Sequence, residues 1–122
     1  MRNDLTVLVI ETEFIIALGL QSALQAMGLS RVIVAANPAD AQSRLEEWSA
    51  AALAIVELEA DKPEHLEFAR QLSQSGVAVI GLSVNSMLTD GVPELPGTPI
   101  LIKPVPDADL AEAVRRRLDQ YP

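Results

Sequence analysis

A chain of 122 residues with a formal net charge of −8, 49% hydrophobic and 21% charged residues fits one globular domain and excludes a disordered tail. Unaided nucleic-acid binding is excluded as well, because the only basic cluster is Arg115–Arg117, which reads as the solvated face of a last helix. With no cysteine there is no disulfide, thiolate metal site or cysteine nucleophile. No apolar run approaches the ~20 residues of a membrane span. No signal-peptide pattern follows the Met1–Arg2–Asn3–Asp4 start, so a cytoplasmic protein is expected.

In chain order, "LTVLVI" (5–10), "RVIVAA" (31–36), "AALAIVE" (51–57), "VAVIGLS" (77–83) and "PILIK" (99–103) are short Val/Ile/Leu-rich runs. They lack polar alternation and so predict five strands covered on both faces. Between them, residues 13–28, 37–50 and 63–76 have helical period, and 106–120 follows the last strand. Asn37 before Pro38 predicts an N-cap, Asp107 another, and Gly28 and Gly76 predict helix ends. Leu110, Val114 and Leu118 form the apolar stripe of the last helix, with the arginines off it. Residues 84–98 break the alternation. Gly91, Pro93, Pro96 and Gly97 leave room for no more than a turn of helix around Ser86–Thr89.

Alternating strand and helix predict a doubly wound, five-stranded parallel sheet with the fourth helix shortened or lost. In such a sheet functional groups collect at the carboxyl ends of the strands, near the topological switch point. Those ends carry Glu11, Thr12 and Glu13 after the first strand, Glu57 and Glu59 at the third, Ser83 at the fourth, and Lys103–Pro104 at the fifth. Acids, a hydroxyl and a lysine are expected on one rim.

The set resembles the receiver domain of two-component response regulators, over nearly the whole chain. "VLVIETEF" resembles the first-strand motif whose paired acids hold Mg²⁺, and "ALAIVELEAD" the third-strand motif with the phosphorylated Asp. "VIGLS" resembles the fourth strand with its terminal hydroxyl, and "ILIKP" the fifth with Lys–Pro. The resemblance implies a flavodoxin-like fold and makes Glu57 the phosphoacceptor equivalent. Glu11 and Thr12 become the acidic pocket, and Ser83, Lys103 and Pro104 the phosphate-switch equivalents. It leaves a weak Mg²⁺ site at Glu11, Glu57 and Glu59, the last through its backbone carbonyl.

Two positions depart from the pattern. Glu57 replaces Asp, and its added methylene moves the carboxylate by roughly an ångström, enough to cost about a hundredfold where geometry carries the rate. Thr12 replaces the second acid, so one carboxylate fewer faces an octahedral Mg²⁺. Lys103 is expected to pair with Glu57, and Pro104 resembles the family's cis proline. Ser83 is either a phosphoryl-binding hydroxyl or an ordinary strand end. Glu57 is either a partial mimic of the phosphorylated residue or a tolerated relic. Ile100 stands where the family often has an aromatic switch, so that readout is absent.

Elsewhere the sequence favours plain roles. His65 is expected on the surface, Glu13 as a helix-start charge, Glu59 and Asp61 at the start of a loop, and Trp48 and Met27 in or near the core. A flavodoxin-type phosphate loop is disfavoured by the acids of "ETEFI", and a hydrolase by the missing G-x-S-x-G elbow. The sequence thus predicts a non-enzymatic, stand-alone receiver-like domain in phosphorelay signalling. It acts by contact with a histidine kinase or a downstream signalling protein, with no nucleic acid or membrane and with a homodimer among the candidate states. A phosphorylatable single-domain response regulator with a weak Mg²⁺ site is the alternative.

Overall fold

The computed structural model describes residues 4–120. The Met1–Asn3 start and the Tyr121–Pro122 end, from which no targeting segment and no following domain were expected, lie outside the described residues. Five strands, β1 (Thr6–Ile10), β2 (Arg31–Ala35), β3 (Ala51–Glu57), β4 (Ala78–Ser83) and β5 (Ile100–Ile102), pair in parallel in the order β2-β1-β3-β4-β5. The chain runs outward from β1 to β2 and then crosses to β3, which puts the switch point between β1 and β3.

The two-residue pleat period sorts the strands' side chains into two cores. Val7, Val9, Leu53, Ile55, Ile80 and Leu82 face α1 (Phe14–Ala26) and α5 (Asp107–Asp119), where they meet Leu20, Leu24, Leu110 and Val114. Leu8, Ile10, Ala54, Val56 and Val79 face the other layer, built from α2 (Pro38–Gln42), α3 (Leu45–Trp48) and α4 (Pro63–Gln74). Both faces of the sheet are covered, which is why the strand sequences run apolar without alternation.

Local signals end the helices where expected. Asn37 accepts the Asp40 amide at 2.8 Å, and Gly28 (φ 97°) and Gly76 (φ 91°) take the left-handed turn that closes α1 and α4. Asp107, by contrast, is the first helical residue of α5, and Pro106 holds the cap position without a side-chain bond. The helix expected over 37–50 is broken into α2 and α3 at Ser43–Arg44. Arg44 leaves helical geometry and donates from its guanidinium to the Val34 carbonyl at 2.8 Å, satisfying an acceptor on the edge strand β2. Trp48 bridges the break by donating its indole N–H to the Ala41 carbonyl at 2.7 Å, and meets Phe68 edge to face at 5.8 Å between centroids.

Residues 84–98 hold only a 3₁₀ turn, Ser86–Asp90, capped by Asn85, after which buried Leu95 and Thr98 anchor an otherwise largely exposed segment to the body. Since β5 is three residues long, its pairing with β4 begins at Gly81 and leaves the Val79 carbonyl uncovered. Arg117 fills that gap. It is 8% exposed, donates Nε–H to the Val79 carbonyl at 2.9 Å, and reaches Thr98 Oγ1 at 3.4 Å. The expected solvated triplet is therefore corrected at Arg117: spacing 110, 114, 117 lays it on the buried stripe, while Arg115 and Arg116 are exposed. Arg117→Ala is expected to cost about 2 kcal/mol in urea unfolding, since a buried carbonyl loses a charged donor, whereas Arg115→Ala stays within about 0.5 kcal/mol. Equal losses would contradict this assignment.

Candidate functional site

The register of the sheet assembles the site. Ile10 stands opposite Val56, so the next residues, Glu11 and Glu57, leave β1 and β3 side by side. Ser83 stands opposite Ile102, and the Lys103 amide extends that ladder by donating to the Ser83 carbonyl at 2.8 Å. Glu11, Glu57 and Lys103 continue the parities 7-9, 53-55 and 101 of the α1/α5 core, which directs them toward the same side of the sheet edge. The Lys103–Pro104 bond is cis.

Lys103 Nζ donates to Glu11 Oε1 at 3.0 Å and to Glu57 Oε2 at 3.2 Å, and lies 3.8 Å from Glu59 Oε2. The lysine side chain is 6% exposed and the Glu11 and Glu57 side chains 0% and 4%, so these pairs are shielded from solvent. The remaining carboxylate oxygens are also engaged. Thr12 Oγ1 donates to Glu57 Oε1 at 2.7 Å, and the Glu13 amide to Glu11 Oε2 at 3.0 Å. Ser83 Oγ donates to Glu59 Oε1 at 3.0 Å, and the Val84 amide to Glu59 Oε2 at 3.1 Å. Every carboxylate oxygen of Glu11, Glu57 and Glu59 thus accepts from a protein donor.

Two expected placements change. His65 is buried, 1% exposed, with Nδ1 2.9 Å from the Glu57 carbonyl and 3.7 Å from Glu57 Oε1, so it braces the end of β3. The signal was present in the spacing: 65, 68, 69 and 72 form the buried stripe of α4, and the one histidine belongs to it. Glu59 begins the loop as expected, yet its carboxylate turns back to tie the ends of β3 and β4. The Thr12 bond to Glu57 was not foreseen. Thr12 occupies an acid's place and acts there as a donor, a role an acid at that point could fill only when protonated.

Burial pushes the Glu11 carboxyl above its ordinary value, against the bonds from Glu13 and Lys103, and the negative charge of Glu57 adds to the rise. Burial acts the same way on Glu57, but donation from Thr12 and Lys103 and the charges of Lys103 and Lys62 outweigh it and leave that carboxyl below its ordinary value. Lys103 is lowered by burial and raised more strongly by Glu11 and Glu57, so it stays charged. The Mg²⁺ that the resemblance implies needs several oxygens free to converge in octahedral geometry. The residues do not fit it. Lys103 holds the space between Glu11 and Glu57 and lies 3.8 Å from Glu59 Oε2, both Glu59 oxygens already accept from Ser83 and Val84, and among the described residues no three Asp, Glu or His side chains are arranged to hold a metal.

No protein-family model and no curated protein matches the sequence. Solved structures do match the fold. A response regulator from Thermotoga maritima superposes with a TM-score of 0.78 at 23% identity, covering 95% of this chain and 98% of that one. A response regulator receiver protein from Sinorhizobium medicae gives 0.79 at 22%, covering 98% of each. The receiver domain of the PhyR response regulator from Erythrobacter litoralis gives 0.79 at 20%, covering 98% and 93%. The chain has the flavodoxin-like receiver fold of response regulators.

The opposite pKa directions set a pH test. A lowered Glu57 contributes stability above pH 4.5 that is lost as pH falls through its folded value. A raised Glu11 does the reverse: its contribution is full below pH 4.5 and is lost as pH rises through its folded value. At pH 7, Glu57→Gln is therefore expected to destabilise by about 1–3 kcal/mol, as charged hydrogen bonds are lost, while Glu11→Gln costs less. In acid both variants approach the natural protein. Urea unfolding across pH 3–7 checks this, and a larger cost for Glu11→Gln at pH 7 would reverse the assignment.

Proposed function

We propose that this protein is a receiver-like module of two-component signalling that works without phosphorylation. Its strand-end network is closed by its own side chains, and it acts by contact with another protein, a histidine kinase or a downstream signalling protein. The reading rests on the full engagement of the Glu11, Glu57 and Glu59 carboxylates by Lys103, Thr12, Ser83 and two backbone amides.

In-line phosphoryl transfer to Glu57 would require a free carboxylate oxygen and a cation to offset the incoming charge. One Glu57 oxygen accepts from Thr12 and the other from Lys103, and among the described residues that lysine is the one cation hydrogen-bonded to Glu57, already shared with Glu11. A phosphoryl dianion entering here would meet three carboxylates and one ammonium. Repulsion and desolvation both oppose it.

In this reading Glu57 stands in for part of what a phosphoryl group does. It draws Lys103 across the rim from β5 to β3, and Glu59 draws Ser83 toward β3 in the same way. The substitution is partial, since a carboxylate offers one charge and two oxygens against about two charges and three oxygens. Moving a two-state domain from 1:99 to 99:1 takes about 5.5 kcal/mol, so the network biases the conformation toward one state without locking it.

Incubation with Mg²⁺ and a small acyl phosphate is expected to leave the mass of the natural protein unchanged. The double variant Thr12→Asp with Glu57→Asp, which restores the acids of the resemblance, gains a base-labile phosphoryl adduct. A stoichiometric adduct on Glu57 of the natural protein would overturn the reading in favour of a phosphorylatable response regulator.

A further inference from the structure

Where a full helix between β4 and β5 would stand, residues 89–99 and α5 instead enclose an open groove of about 1200 Å³. One wall is a pair of consecutive β-turns. The Leu95 amide donates to the Val92 carbonyl and the Thr98 amide to the Leu95 carbonyl, both at 3.1 Å. Pro93 and Pro96 take the second place of each turn, and Gly97 (φ 77°) the third place of the second turn. Buried Leu95 and Thr98 anchor this wall, and the Arg117 guanidinium ties it to α5 through Thr98 Oγ1. The floor is apolar, with half-buried Val92, Pro99, Leu101 and Ala113. A groove whose walls are fixed in this way costs little ordering entropy to fill.

Charge selects the occupant. Asp90 stands on the turn side and Asp109, Glu112 and Asp119 on α5, all exposed, with Arg116 as the exposed cation among them. Elsewhere on the surface Asp40, Glu47 and Glu67 each lie against an arginine. Among the described residues the four groove acids have no ion-pair partner. They are strung along the groove and do not converge: positions 109 to 119 span about 15 Å of helix at 1.5 Å per residue, and no three acids are arranged to hold a metal. A phosphate-bearing polymer or an anionic membrane would be repelled, and a second copy of a chain with net charge −8 would bring the same acids. What fits is a chain that carries cations at intervals. About five extended residues at 3.3 Å each cover the span, and their side chains alternate between the floor and the acidic lips.

We propose that this groove binds an extended segment of another protein in which Lys or Arg alternates with apolar residues. The apolar side chains rest on Val92, Pro99 and Leu101, and the cations meet Asp90, Glu112 and Asp119. The surface deepens the reading of the protein as one that acts by contact, giving that contact a place and a partner chemistry. The groove is lined by none of Glu11, Glu57, Glu59 and Lys103, so the two readings fail separately. A phosphoryl adduct on Glu57 would overturn the first and leave the second standing.

Phage-displayed random dodecapeptides selected on the full chain should converge on sequences that alternate Arg or Lys with apolar residues. Binding of a selected peptide should weaken about tenfold or more in the double variant Glu112→Lys with Asp119→Lys, and in the same direction, by less, in Glu112→Gln with Asp119→Asn. It should also weaken as salt rises from about 50 to 500 mM. The double variant Glu46→Lys with Glu64→Lys makes the same change of net charge at exposed positions of α3 and α4 and should keep the natural affinity. All these side chains are exposed, so each variant should keep the circular dichroism of the natural protein. Amide shifts on peptide addition should gather in residues 89–99 and on the exposed face of α5. The proposal is overturned if no peptide is enriched, if the enriched peptides are acidic or uncharged, if the two Lys double variants lose affinity equally, or if the shifts centre on α1.

Discussion

The ammonium of Lys103 holds together three strand ends that the covalent chain keeps far apart. Glu11 leaves β1, Glu57 leaves β3 and Lys103 leaves β5, yet Nζ lies 3.0 and 3.2 Å from the two carboxylates. The contact is possible only because the parallel register brings those ends to one rim and the pleat gives the three residues the same parity. Two nearly buried carboxylates side by side would repel strongly. The shared lysine makes the arrangement tolerable, and the hydroxyl of Thr12 with the Glu13 amide completes it. The price appears in the two carboxyls' opposite departures from their ordinary values.

Much of the fold was legible because its signals are local and repeated. The five apolar runs, Asn37 before Pro38, and the glycines at 28 and 76 each act through the backbone within a few residues, and the structure follows them within one or two positions. The break at Arg44 and the burial of Arg117 were not read correctly, and they share one cause. Each guanidinium reaches a strand carbonyl, Val34 or Val79, that lacks a neighbouring strand at that point. Where a sheet has uncovered carbonyls depends on strand order and on the length of β5, which are properties of the assembled sheet. His65 is a different failure. Its position on the α4 stripe was visible, but a lone histidine without a metal-like or catalytic partner was read by residue type instead of by place.

The rim itself was only partly legible. Strand ends name Glu11, Glu57, Ser83 and Lys103 as neighbours, whereas which donor serves which oxygen follows from side-chain reach. The Glu57 carboxylate sits between Thr12 and Lys103, and Glu59 turns back to Ser83 and the Val84 amide at the end of β4, whose strand the Leu58 amide already joins through the Leu82 carbonyl. A short segment, Ser86–Asp90, stands where a full helix would otherwise cover β4 and β5, and buried Leu95 and Thr98 with Arg117 take over part of that covering.

Trp48, the single tryptophan, gives the molecule a one-sided optical reporter. Its indole is 7% exposed, sits edge to face with Phe68 and donates to Ala41, all within the layer formed by α2, α3 and α4. The opposite layer, α1 and α5, contains no indole among its described residues. Emission from Trp48 therefore follows the loosening of one face of the sheet, whereas far-ultraviolet circular dichroism follows the helices of both. If the two signals change together, the layers unfold as one cooperative unit; if they separate, α1 and α5 can detach while the tryptophan side keeps its packing.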